Sequence, residues 1–267
     1  MKVIVEIKDR ALGELLASDF FKQLLPLLED KPTLRQLKKS LGNKIEKNLD
    51  QLVRKNIVNR DDRHYSLNIP LYEEEKVVSV WVAKILDFIA ETSEDVSKVL
   101  YQLASIPEQG VYGITDNQIF SYTHSVTNGE LMVASVSRDE WSGTLPSYFD
   151  YLRSNQLNQN MYGEVQSILG DVAVDYYLDQ VQVIVEKIIQ KRRRIRNSIF
   201  LHSLEEFQIV KDGELIVPLY LKLGPISFFD EFAELTSWTR RIIIGKVMEE
   251  LKLKDITVLL LNKEDKV

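Results

Sequence analysis

The chain has 267 residues and no cysteine. That absence excludes disulfides, thiolate zinc sites and cysteine nucleophiles together, and it fits a reducing compartment. Histidine is scarce. His64, His124 and His202 lie far apart without metal-ligand spacing, so each is expected as surface or core filler and no metal centre is expected. Glycine is sparse too. "GVYG" at 110–113 and "LKLG" at 221–224 lack the phosphate-cradling glycine pattern and its lysine. No G-x-S-x-G elbow occurs. No cofactor and no catalytic residue follow from the sequence, although a catalytic set drawn from distant positions stays open. Long apolar runs are also missing: nothing approaches the ~18 uninterrupted apolar residues of a membrane span. The opening "MKVIVEIKDRALGELL" is broken by Glu6, Lys8 and Asp9 and makes a poor signal peptide. These absences predict a cytoplasmic protein without a membrane partner. No repeat or low-complexity segment is found.

What the chain does contain is ordinary globular material, 45% hydrophobic and 28% charged residues, with a formal net charge of -6. The charge is unevenly spread. From Lys31 to Arg63 ten Lys and Arg face four acids, an excess of +6, so the remainder carries -12. A local reversal of this size points to an anionic partner or to a solubilising face.

The basic segment also has a pattern. Thr33 and Gln36 form a capping-box signature before Leu34, Leu37 and Leu41, which share one helical face. Gly42 breaks the run. Asn43 and Glu46 repeat the signature, and Ile45, Leu49, Leu52 and Val53 then span about 100° of a helical wheel. Lys44, Lys47, Asn48, Gln51, Arg54 and Lys55 lie opposite, and Asp50 is spaced to pair with Arg54. Asn56 suits a left-handed helix end. "IVNRDDRHYSLNIP" then predicts a hairpin across 57–69 turning at Asp61-Asp62, with Tyr65, Leu67 and Ile69 on one face. A preceding helix is expected over 18–29, kinked or shortened by Pro26, and an N-terminal strand over 2–7. Short helix, turn, longer helix and basic hairpin make a winged helix-turn-helix over 1–75. Its outward lysines suit phosphates, and its amides suit adenine edges in a major groove. The candidate DNA-binding residues are Lys44, Lys47, Asn48, Gln51, Lys55, Arg60 and Arg63, the two arginines flanking the wing tip.

The acidic junction "LYEEEK" at 71–76 marks a boundary, and 76–267 reads as a mixed α+β domain. Residues 77–91 fit a helix or an alternating strand, and 93–105 fit a helix. Runs around Asn128-Gly129 predict a hairpin with a type I′ turn, and "VYGIT" before them a third strand. Helices follow from Leu145, with a long pattern over 171–207 broken near Arg196. Asp212-Gly213 opens a strand or hairpin, 228–251 is helical, and 256–262 is a buried terminal strand. Glu73 to Glu75, Glu205-Glu206 and Asp139-Glu140 read as solvated surface. "KRRRIR" at 191–196 reads as a solubilising helix surface rather than a second phosphate contact. "SYFDYLR" with Met161, Tyr162, Tyr176 and Tyr177 reads as core, with a small-molecule pocket as the alternative.

The opening module, "LPSYFDYLR" at 145–153 and "LGDV" at 169–172 together resemble a family of uncharacterised proteins from streptococci and related Firmicutes. That family carries only a domain-of-unknown-function label. The resemblance spans most of 18–210. It implies a winged-helix-like start and a cytoplasmic bacterial protein, and it brings no reaction and no catalytic residue.

Three functions compete. The first is a regulator-like protein whose winged helix binds duplex DNA while the acidic C-terminal domain forms a homodimer or senses a small molecule or protein. The second is a protein-interaction module. The third is an unrecognised enzyme in the C-terminal domain. The clustering of cations on one helix face favours the first.

Overall fold

The computed structural model describes residues 2–6, 10–68, 75–107, 110–114, 119–140, 142–154, 159–192 and 195–262. The chain is α+β and divides into two compact units. The first comprises 1–75 and 107–118, the second 76–106 and 119–267. Residues 107–118 thus group with the N-terminal unit, which a single linear boundary does not express.

In the N-terminal unit, β1 (Lys2–Glu6) is followed by α1 (Arg10–Ala17), α2 (Asp19–Leu28), α3 (Leu34–Leu41), α4 (Glu46–Arg54), β2 (Val58–Asp61) and β3 (His64–Leu67). Ser18 caps α2, and Thr33 caps α3 in a capping box: the Thr33 N–H donates to Gln36 Oε1 at 2.7 Å and the Gln36 N–H to Thr33 Oγ1 at 3.5 Å. Helix α2 runs through Pro26 and ends two residues later. The second expected capping box does not form. Helix α4 starts at Glu46 with Ile45 at its N-cap and no side-chain cap, because Asn43 and Lys44 lie in the turn. Leu12, Leu16, Phe21, Leu24, Leu28, Leu37, Leu49, Leu52 and Tyr65 close a single core. The helices face it with the 3–4 residue spacing that sets one stripe inward.

Helices α5 (Glu75–Thr92) and α6 (Val96–Ala104) come next, followed by β4 (Gly110–Ile114). The segment at 77–91 is therefore helix, its apolar positions recurring at helical rather than alternating spacing. Strand β4 does not join the following hairpin. It pairs antiparallel with β1, from Lys2 opposite Ile114 to Glu6 opposite Gly110.

The second unit continues with β5 (Tyr122–Thr127), β6 (Leu131–Ser137), α7 (Leu145–Ser154), α8 (Gln159–Leu169), α9 (Val174–Ile189) and α10 (Ile199–Glu206). It closes with the short β7 (Val210–Lys211), β8 (Glu214–Leu215) and β9 (Leu219–Tyr220), then α11 (Phe229–Ala233), α12 (Ser237–Glu250) and β10 (Asp255–Leu261). A four-stranded sheet runs in the order β5-β6-β10-β9, antiparallel except for the β10–β9 pair. Leu131, Val133, Leu259 and Leu261 pack with residues of α7 to α10. Ala134 and Val258 face Tyr101 of α6 on the other side. Strand β6 is accordingly buried almost throughout, as the middle of a sheet covered on both faces must be.

The β5–β6 turn differs from type I′. Thr127 pairs with Met132, so the turn centres on Gly129-Glu130, and of these residues only Gly129 has a positive φ, +96°. Asn128 instead uses its Oδ1 to accept from the Leu131 N–H at 2.8 Å. A side chain thus satisfies the backbone group that a type I′ turn would have paired. The long pattern at 171–207 breaks earlier and more widely than expected: α9 stops at Ile189, and Lys191, Arg192, Ile195 and Arg196 lie in the connection to α10. The described residues of "KRRRIR" are therefore not on a helix.

Candidate functional site

The basic segment spans the turn before α4, α4 itself and the β2–β3 hairpin of the N-terminal unit. Burial of Leu49 and Leu52 fixes the rotation of α4. Lys47, Arg54 and Lys55 are then exposed on the far side, with Lys44 exposed in the preceding turn. Asn48 and Gln51 are half-buried. Among the described residues Lys44 and Lys47 have no ion-pair partner. Glu46 is engaged elsewhere, accepting from Lys38 Nζ at 2.5 Å. The expected Asp50–Arg54 pair does not form, and both side chains are solvent-exposed.

The C-terminus of α4 is locked. Asn56 takes φ +56°, its N–H donates to Val53 O at 3.0 Å, and the Ile57 N–H donates to Leu52 O at 2.9 Å. This double bond is a Schellman closure, with buried Ile57 and Leu52 as its apolar contact. It hands the chain into β2. Asn68 Nδ2 ties the far end of the hairpin back to Asn56 O at 2.9 Å. The Tyr65 N–H also donates to Pro32 O at 2.9 Å, which fastens β3 to the entrance of α3.

At the hairpin tip Asp61 pairs with His64, so the loop is Asp62-Arg63, one residue later than expected. Both loop residues have positive φ, +43° and +64°, the signature of a type I′ turn. The His64 ring Nδ1 lies 2.8 Å from Asp62 O. Arg60 lies over the Tyr65 ring at 5.6 Å from its centroid, which orients the guanidinium along the strand. Arg60 and Arg63 are exposed, as are Asp61 and Asp62 between them. The structure thus brings the seven sequence candidates onto one short helix–hairpin segment. It also adds Lys38, Lys39 and Arg35 of α3, which with Leu34 and Asn43 line an open groove of about 530 Å³.

Other expectations resolve differently. Glu73 and Glu74, Ile69 and Pro70 lie outside the described residues. His124 is not filler: its Nδ1 sits 2.8 Å from Asp150 Oδ2, while its Nε2 is buried without a partner. Beside it a hydroxyl network joins Ser135, Ser142, Thr144 and Ser147. Sequence reasoning missed this cluster because its members come from β5, β6, the following loop and α7. The only signal was the β5–β6 register, which sets His124 opposite Ser135. The serines are almost fully buried. Of "SYFDYLR" and the neighbouring aromatics, Tyr148, Phe149, Tyr151, Tyr162 and Tyr177 are core, whereas Arg153, Met161 and Tyr176 are exposed. Burial pushes the Tyr151 hydroxyl up to about 12 and that of Tyr177 higher still, so both remain neutral donors. Among the described residues no group of His, Asp and Glu is placed to hold a metal, and no helix is long and apolar enough to cross a membrane.

Residues 2–103, less than half of the chain, match a family described as a domain of unknown function (DUF1803). The match contains the whole α3–α4–hairpin segment and ends in α6, so "LPSYFDYLR" and "LGDV" lie outside it. No curated protein and no solved structure matches the chain.

Proposed function

We propose that the N-terminal unit is a winged helix-turn-helix that binds duplex DNA, with α4 as the recognition helix and the β2–β3 hairpin as the wing. The observation that carries this is the pair of exposed, unpaired lysines, Lys44 in the turn before α4 and Lys47 on α4, whose other face is anchored by Leu49 and Leu52. Unpaired surface cations in a chain of net charge -6 gain most from a polyanion, because each phosphate contact releases condensed counterions. Asn48 and Gln51 provide amides that can read base edges beside those contacts. Arg60 and Arg63 meet the flanking backbone from the wing. The activity belongs in a bacterial cytoplasm, and the C-terminal unit serves it as a sensor or dimerisation domain.

A second reading has its own support. Asp61 and Asp62 are exposed at the wing tip between Arg60 and Arg63, where they oppose a phosphate. A mixed-charge tip suits a protein surface. Fluorescence anisotropy on duplex DNA separates the two. Wild type binds at low salt, and Lys44→Glu with Lys47→Glu abolishes binding without unfolding, since both side chains face outward. No binding by wild type, or equal binding by both, moves the assignment to a protein partner.

A further inference from the structure

The connection from α9 to α10 encloses a second basic feature, distinct from the α4 surface and built differently. Gln180, Val183, Ile184 and Lys187 follow one another at helical spacing along α9 and form one wall of a pocket of about 360 Å³. Ile195, Arg196, Asn197, Ser198 and Phe200 form the other wall. The two walls are held independently. Helix α9 ends in a Schellman closure, with Lys191 at φ +50° and the Arg192 N–H donating to Lys187 O at 3.1 Å. Helix α10 begins at Ser198, whose hydroxyl accepts from the Leu201 N–H at 3.2 Å. The Phe200 ring is fixed between Tyr176 and Tyr177, each at 5.8 Å centroid to centroid.

The chemistry of this lining is one-sided. Among the described residues its charged members are Lys187 and Arg196, and none is a carboxylate. Neither cation has an ion-pair partner among the described residues, although Lys187 is half-buried. Withdrawing an ammonium from water costs free energy that a counter-charge would offset. The C-terminal end of α9 supplies part of that counter-charge to Lys187. Arg196 lies outside any helix and is exposed, its guanidinium open to an incoming anion. The rest of the lining combines apolar Val183, Ile184, Ile195 and Phe200 with the polar Gln180, Asn197 and Ser198, and Val183 is 45% exposed. Two unpaired cations and a few neutral polar groups beside an apolar patch match the usual form of a small-ligand site, an apolar body oriented by a few polar groups.

We infer that this pocket binds a small organic anion: a carboxylate or phosphate monoester held by Lys187 and Arg196, carrying an apolar or aromatic body that lies against Val183, Ile184, Ile195 and Phe200. Asn197 orients the anionic group. The site needs nothing from the N-terminal unit, and it stands whether or not α4 binds DNA.

The test uses the full chain and four probes: phenylacetate, phenyl phosphate, inorganic phosphate and the neutral 2-phenylethanol. Binding is followed by calorimetry and by thermal shift, in wild type and in Lys187→Gln with Arg196→Gln. Saturable binding of one or both aryl anions is expected. The affinity should be weaker by about tenfold or more in the double variant, as loss of charge-assisted hydrogen bonds requires. The neutral probe should not bind. The aryl anion that binds identifies the headgroup. Circular dichroism checks that the double variant is folded, and the single variant Arg196→Gln, at an exposed position, serves if it is not. No saturable binding of either aryl anion at millimolar concentration overturns the inference, as does equal affinity in wild type and variant. Inorganic phosphate binding as tightly as phenyl phosphate overturns the apolar half. If duplex DNA binding is lost on Lys187→Gln with Arg196→Gln and the aryl anions do not bind, the pocket is a polyanion contact and the inference fails.

Discussion

Helices α4 and α12 both carry arginine or lysine in mid-sequence, and they use it in opposite ways. In α4, Lys47 and Arg54 project into solvent and only Leu49 and Leu52 are fully buried. In α12 burial runs around the whole helix from Ser237 to Met248, interrupted only at Lys246, and it includes Arg240 and Arg241. Arg240 Nη1 donates to Ala233 O at 2.8 Å and Leu235 O at 3.2 Å, closing the carbonyl end of α11. Arg241 lies over the Tyr122 ring at 5.7 Å, and burial pushes its guanidinium down to about 10, so it stays charged at neutral pH. The difference teaches that the role of a cation is set by what surrounds it. The buried arginines are structural, whereas the exposed lysines have no structural duty and are available to a partner.

The contrast breaks most readily at Gly245. A Cβ there would lie 2.8 Å from the Phe120 backbone carbon and 3.1 Å from Ile119 O. Gly245→Val is therefore expected to cost about 3 kcal/mol, as overpacking against backbone does. That corresponds to a fall in melting temperature of roughly 6–12 °C. An unchanged melting temperature would show that α12 is not packed as described.

Arg240→Ala comes next. It leaves two carbonyls at the end of α11 without their donor and is expected to cost about 2 kcal/mol. Chemical denaturation measures it. The matching outward change, Lys47→Ala, should stay within about 0.5 kcal/mol. Equal losses from the two would erase the distinction between structural and free cations.

A smaller effect of opposite sign is expected at the β2–β3 turn. Arg63 holds φ +64°, a conformation that glycine adopts without penalty. Arg63→Gly should stabilise the protein by about 0.5–1 kcal/mol and at the same time weaken DNA binding. Strain kept at a surface turn makes sense if the side chain is needed there. Stabilisation with unchanged affinity would remove Arg63 from the interface.

How much of this was legible in the sequence follows from how local each feature is. The capping box at Thr33 and Gln36, the left-handed Asn56 and the seam of Ile45, Leu49 and Leu52 are written within one or two helical turns, and they form as expected. The partner of β4 was not legible. Its strand character is local, but its pairing with β1 spans most of the N-terminal half. The hairpin loops shifted by one residue because side chains, Asn128 at one and the left-handed Asp62 and Arg63 at the other, changed the turn. "KRRRIR" was expected to be helical from its composition, yet α9 ends at Ile189, just before it. Arg240 and Arg241 drew no notice because two adjacent arginines in a helix resemble solvated surface until the surrounding chain is known. The His124–Asp150 pair failed for the same reason.

The smallest expected effect concerns Asp255. Burial raises its carboxyl above the ordinary range, with Asp139 adding to the shift and Lys254 opposing it. An acid raised in the folded state stabilises the fold in acid, and that contribution is lost as pH rises through the folded pKa. Asp255→Asn, which stays neutral, should therefore raise the melting temperature slightly at pH 7 and leave it unchanged near pH 4. An equal rise at both pH values would assign the effect to something other than ionisation.

The central proposal is that Lys44, Lys47 and the arginines of the β2–β3 hairpin meet a duplex, and its most direct test is the salt dependence of binding by the full chain. With four to six phosphates neutralised, log K against log salt should fall with a slope of roughly -4 to -5, since each contact contributes about -0.9. Lys44→Glu with Lys47→Glu should remove binding across the whole salt range. A slope near zero, or a steep slope that the double substitution leaves intact, would contradict the account.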